Sequence, residues 1–161
     1  RSNINLENEI EILSSYLIMN RVVRELNLNT VFYEEGTVKT RQIESLPLSY
    51  NQIILPDSII KPLSYKLLIT DKGFQITNLE TEKTFNFHEY STYTKNHNLP
   101  FNLKLGNQIP ISDLVDKTYN IVFKSVKEST LALKAKIGIE AIGEQSDLLK
   151  LSIKGESKEL S

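Results

Sequence analysis

A chain of 161 residues with 40% hydrophobic and 24% charged side chains is long enough to close a single core, burying roughly 70% of its extended-chain surface. Nineteen basic against twenty acidic residues leave a net charge of -1, without the basic excess of a generic nucleic-acid binder, and abundant Leu, Ile and Val exclude a disordered chain. No cysteine means no disulfide framework, no thiolate zinc site and no cysteine nucleophile, and no apolar run reaches the ~20 residues of a membrane-spanning helix.

The first element is a helix from about Asn8 to Leu26. Ile12, Tyr16, Met19, Val23 and Leu26 recur at spacings of four and three, widened by Leu13 and Val22, so one face is apolar. Glu11, Ser14, Arg21, Arg24 and Glu25 lie opposite as a solvated face of mixed sign, which suits a core-packing helix better than a membrane-surface one.

After Asn27-Leu28-Asn29 the period changes to two. TVFYEEGTVKT predicts a hairpin through Val31, Phe32 and Tyr33, a turn near Glu35-Gly36 and a return through Val38. Pro47, Pro56 and Pro62 punctuate the next stretch, leaving NQIIL, residues 51–55, as a short strand between turns. A second hairpin alternates Tyr65, Leu67 and Ile69 into a turn at Asp71-Lys72-Gly73, then out through Phe74 and Ile76. Short strands are expected near Thr84 to Phe87 and Phe101 to Leu105, joined by a polar loop with Asn96, His97 and Asn98.

YNIVFKS reads as a strand and VKESTLALKAK as a short helix in which Val126, Thr130, Leu133 and Ile137 share a face. IGIEAIG and LLKLSIKG are expected as two further strands joined at Glu144-Gln145-Ser146-Asp147, with Leu149, Leu151 and Ile153 on one side of the second. In GESKELS, Ser157 is placed like a helix N-cap before Lys158, Glu159 and Leu160, and one turn cannot persist alone, so both ends read as cuts in a longer chain. The order implies one α+β domain over residues 1–161. A mixed or antiparallel sheet is packed by a long N-terminal helix and a shorter one, with residues 37–125 as a β-rich insert.

Chemistry-bearing motifs are missing from the sequence. There is no phosphate-binding loop, no glycine-rich dinucleotide turn, no HExxH and no GxSxG. His88 and His97 stand nine apart without a second clustered ligand, which favours exposed histidines over a metal or catalytic pair. Glu34-Glu35 beside Gly36, and Glu80 with Glu82, are the paired carboxylates a glycoside hydrolase would need, but both read as turns. Tyr90 and Tyr93 are the aromatics that could stack on sugar rings, against the alternative of sheet-edge packing with the hydroxyl in water. No residue is assigned as catalytic, cofactor-binding or metal-ligating, and no cofactor is implied.

NEIEILSSYLIMNRVVRELNLNTVFY, residues 8–33, resembles the start of the periplasmic region of bacterial chain-length determinant proteins, the Wzz family and the related Wzc-type polysaccharide co-polymerases, often exopolysaccharide tyrosine kinases. VKESTLALKAKIGIEAIGEQSDLLKLSIKGESKEL is similar to that family's later segment, and the two blocks flank a middle that resembles the longer inserts of Bacteroidetes-type members. The resemblance implies no enzyme in this segment, any kinase residing in a separate cytoplasmic domain. It implies a location at the periplasmic face of the inner membrane, with a transmembrane helix before the region and a long coiled-coil helix and second span after it. It also implies a role in setting the length or export of an exopolysaccharide, capsule or O-antigen through subunit assembly. The implied partners are copies of the chain itself, together with a polysaccharide polymerase, an outer-membrane export protein or the nascent polysaccharide. In that setting Glu9, Glu11, Arg21, Arg24 and Glu25 are candidates for rim pairs between neighbours, each contributing about 0 to 1 kcal/mol. A periplasmic carbohydrate-binding module is the alternative reading, resting on Tyr90 and Tyr93.

Overall fold

Period-two alternation and two unlike helix ends account for the architecture. The computed structural model describes residues 2–141. In chain order these form α1 (Ser2–Glu25), β1 (Thr30–Glu35), β2 (Thr40–Ile43), β3 (Ser49–Gln52), β4 (Leu63–Ile69), β5 (Phe74–Asn78), β6 (Thr84–Phe87), β7 (Phe101–Lys104), β8 (Thr118–Phe123) and α2 (Val126–Ala141). Six strands make one sheet in the order β2-β1-β8-β4-β5-β6, and β3 with β7 makes a two-stranded one. Among the described residues every pairing is antiparallel, which gives the α+β class expected from the element order.

Register puts one apolar row after another on a single face. Phe32 lies opposite both Ile43 and Ile121, and Ile121 opposite Tyr65. Tyr119, Leu67, Ile76 and Phe85 follow as a second row across four strands. The two-stranded sheet covers this face. Tyr50 meets Phe32 edge-on at 5.0 Å between ring centroids, and Phe101 meets Tyr65 edge-on at 5.4 Å, geometries that favour the ring quadrupoles. The opposite face carries polar pairs, Lys66 with Glu35 at 3.9 Å and Thr77 with Thr84 at 3.1 Å. Thr70-Asp71-Lys72-Gly73 closes the β4–β5 turn, and a Cβ on Gly73 would lie 1.8 Å from the Phe87 carbonyl oxygen, so only glycine lets β6 approach there.

The helices have a core of their own. Met19 and Val23 of α1 pack with Val126, Leu133 and Ile137 of α2, and Val22 and Leu28 close the cluster. The buried α2 stripe, including Thr130, is the face read from the sequence. Asn20 Nδ2 donates to Thr130 Oγ1 across the pair at 3.4 Å. The C-terminus of α1 is capped by left-handed Asn27 (φ 52°), with Leu28 N–H donating to Val23 O at 2.9 Å, a Schellman arrangement. Ser125 Oγ accepts from Glu128 N–H at 3.1 Å, capping the start of α2.

Several boundaries differ from expectation. The first helix begins at Ser2, ahead of Asn8, because Asn3 and Asn5 carry little propensity signal of their own. Ile137–Ala141, expected in a strand, continues α2, since Ile137 completes the stripe one turn beyond Leu133. Val38 is 95% exposed in a turn closed by Gly36 N–H donating to Lys39 O, so the return strand starts only at Thr40. The strand expected over residues 51–55 is instead Ser49–Gln52, because Ile53 and Ile54 both donate to the single carbonyl of Pro100, which ends the ladder. The remainder of the expected IGIEAIG strand, the LLKLSIKG strand, the turn at residues 144–147 and the cap at Ser157 lie outside the described residues, as do the side chains of Glu9, Ile12, Leu13 and Ser14.

Asn29 joins the helix pair to the sheet. It is fully buried, its Nδ2 donates to Lys124 O at 2.8 Å and Pro56 O at 3.3 Å, and its own carbonyl accepts from Lys124 N–H at 2.8 Å. Asn29→Ala removes both carboxamide bonds and should lower stability by about 1–3 kcal/mol, read as a shift in the urea midpoint. Asn29→Asp should cost more, because an acceptor-only carboxylate would face two carbonyls in a dry site. Equal midpoints for the two variants would contradict this role.

Candidate interaction surface

The sheet brings some chemistry-bearing residues together and separates others. Glu34 and Glu35, expected in a turn, are the last two residues of β1, and strand alternation sends them to opposite faces. Glu34 Oε1 accepts from Arg41 at 2.8 Å while Glu35 lies 3.9 Å from Lys66, so the two carboxylates do not converge. Glu80 and Glu82 lie in a turn organised by Asn78, whose Oδ1 accepts from Glu80 N–H at 2.9 Å and Thr81 N–H at 3.2 Å. His88 and His97 are both exposed, and no group of three or more metal-ligating side chains occurs among the described residues.

The two tyrosines part company. Tyr90 is half-buried, packs edge-on against Phe74 at 5.6 Å, and donates its hydroxyl to the Thr70 carbonyl, so neither its ring nor its hydroxyl is free for a sugar. Tyr93 is exposed, with Lys104 Nζ 4.9 Å from the centre of its ring. Depressions in the surface of the described residues include two whose linings contain neither Tyr90 nor Tyr93. One, of about 200 Å³, lies between α2 and the β1–β2 hairpin, with Leu28, Val31 and Leu133 as its apolar part and Glu128 as its one carboxylate. The other, of about 340 Å³, is lined by Leu46, Leu48, Ser49, Gly106 and Ile109 among others and includes no ionisable group. Ligand clefts are usually ~300–1,000 Å³ with a few convergent polar groups, and neither depression brings two carboxylates together.

The distinctive surface is apolar. Thr30 pairs with Phe123, so α1 arrives at and α2 departs from the same end of the sheet, where the loop 53–60 also lies. That loop exposes Ile53 (52%), Leu55 (69%) and Ile60 (85%) while anchoring itself through buried Ile59. Ser58 N–H donates to Leu55 O at 2.9 Å, and Arg24 of α1 pairs with Asp57 at 3.8 Å. On the helices, Leu17 and Ile18 of α1 and Leu131 of α2 are each about half exposed. Exposed aliphatics mark a contact surface when they are contiguous, whereas scattered ones are ordinary. The helical stripes do not signal Leu17, Ile18 or Leu131, which fall off their periodicity, and Ile53 and Leu55 fall in the stretch expected as a strand. The charges proposed for the helix rim are partly engaged within the chain, Arg21 with Glu25 at 3.5 Å and Arg24 with Asp57.

At the far end of the sheet sits a titratable cluster. The Arg41 guanidinium, hydrogen-bonded to Glu34, holds its carboxyl below the usual 4.5 despite partial burial. Tyr119, buried beside it, is pushed up to about 12 by burial and then by the Glu34 charge. Compared with protein-family models, curated proteins and solved structures, the chain matches none.

Because the Glu34 pKa is depressed on folding, its pairing contributes stability that is complete above about pH 4.5 and lost as pH falls through the folded pKa. Arg41→Ala should return the Glu34 carboxyl titration, followed by carbon NMR, toward 4.5, and an unmoved titration would rule out the pairing as its cause.

Proposed function

We propose that this segment is the periplasmic assembly domain of an inner-membrane polysaccharide co-polymerase of the Wzz/Wzc type, acting through shape and subunit contact without catalysing a reaction. The observation that carries the reading, beside the sequence resemblance, is the placement of the helices. Both leave one end of the β1–β8 pair, and at 1.5 Å per residue the 24 residues of α1 reach about 36 Å. A β-body held by two helices at one end suits a membrane-tethered subunit whose flanks meet neighbours. In this reading the parent polypeptide carries one hydrophobic span ahead of α1 and another beyond the region that follows α2.

A ring of identical subunits needs two unlike complementary flanks, since a head-to-tail contact closes only at a fixed rotation. The loop 53–60 and α2 at Leu131 expose aliphatic side chains in two unlike settings. Regulation of polymer length would then follow from how many subunits the ring holds and how they present the β-body to the polymerase, the export partner or the growing chain. The Tyr90 geometry removes half of the aromatic pair on which the carbohydrate-module reading rested.

Exposed ion pairs contribute only about 0 to 1 kcal/mol each, so the isolated domain should not assemble by itself. Light scattering at micromolar concentration should return the monomer mass of 18.4 kDa. In cells, deleting the domain from the full-length chain should broaden or shift the length distribution of the surface polysaccharide on gels. An unchanged distribution with normal membrane insertion of the remainder would overturn the proposed function.

A further inference from the structure

We draw no further inference here: the strongest candidate, the exposed aliphatic side chains Ile53, Leu55 and Ile60 on the loop 53–60 beside the end of α1, is an unpartnered apolar face, and nothing in the structure shows what covers it.

Discussion

A single buried asparagine carries the connection on which the rest of the molecule depends. Asn29 follows directly on the capped end of α1, begins the approach to β1, and bonds through side chain and backbone to Lys124, between the last strand and α2. The same carboxamide holds Pro56 and so sets the loop beside the helices. Its Oδ1 has no partner among the described residues, and an unpaired buried carbonyl costs about 1–3 kcal/mol, so the retained N–H bonds must outweigh that penalty. Three stretches far apart in sequence are thereby held at one corner, where the loop that exposes Ile53, Leu55 and Ile60 also lies.

The arrangement separates two jobs. Aromatic and aliphatic rows on one sheet face, covered by Tyr50 and Phe101, make the β-body a core in its own right. Met19, Val23, Val126, Leu133 and Ile137 make a second, smaller core between the helices. The helices rely on each other for burial, so their outward faces, with Leu17, Ile18 and Leu131, stay available. A subunit of the kind proposed above would need this division. Glu34 and Glu35 diverge to opposite sheet faces, and Tyr90 is engaged with Phe74 and the Thr70 carbonyl.

What could be read from the chain follows from the range of the forces involved. The β4–β5 hairpin and the strand at Thr84 to Phe87 depend on alternation and turn residues a few positions apart, and both lie where the pattern puts them. The buried stripe of α2 was equally legible, but its length was not. Ile137 and Ile139 look β-like locally, and only the packing of Ile137 against α1 favours helix there. The β1–β8 pairing spans about ninety residues and leaves no local trace. Asn29 looked like linker beside Asn27, since nothing in Asn-Leu-Asn distinguishes a left-handed cap from a buried clamp. Residues 51–55 read as strand because Ile53 and Ile54 suit one, and nothing local showed that Ile53 and Leu55 face solvent while Ile54 packs on the core.

The central claim is that this domain exists to place identical subunits side by side at a membrane. Electron microscopy of the full-length chain in lipid nanodiscs tests it most directly. The account predicts closed rings of like subunits, each with its β-body held off the membrane by the helix pair. Particles containing a single copy, at protein concentrations where the chain is fully inserted, would contradict it.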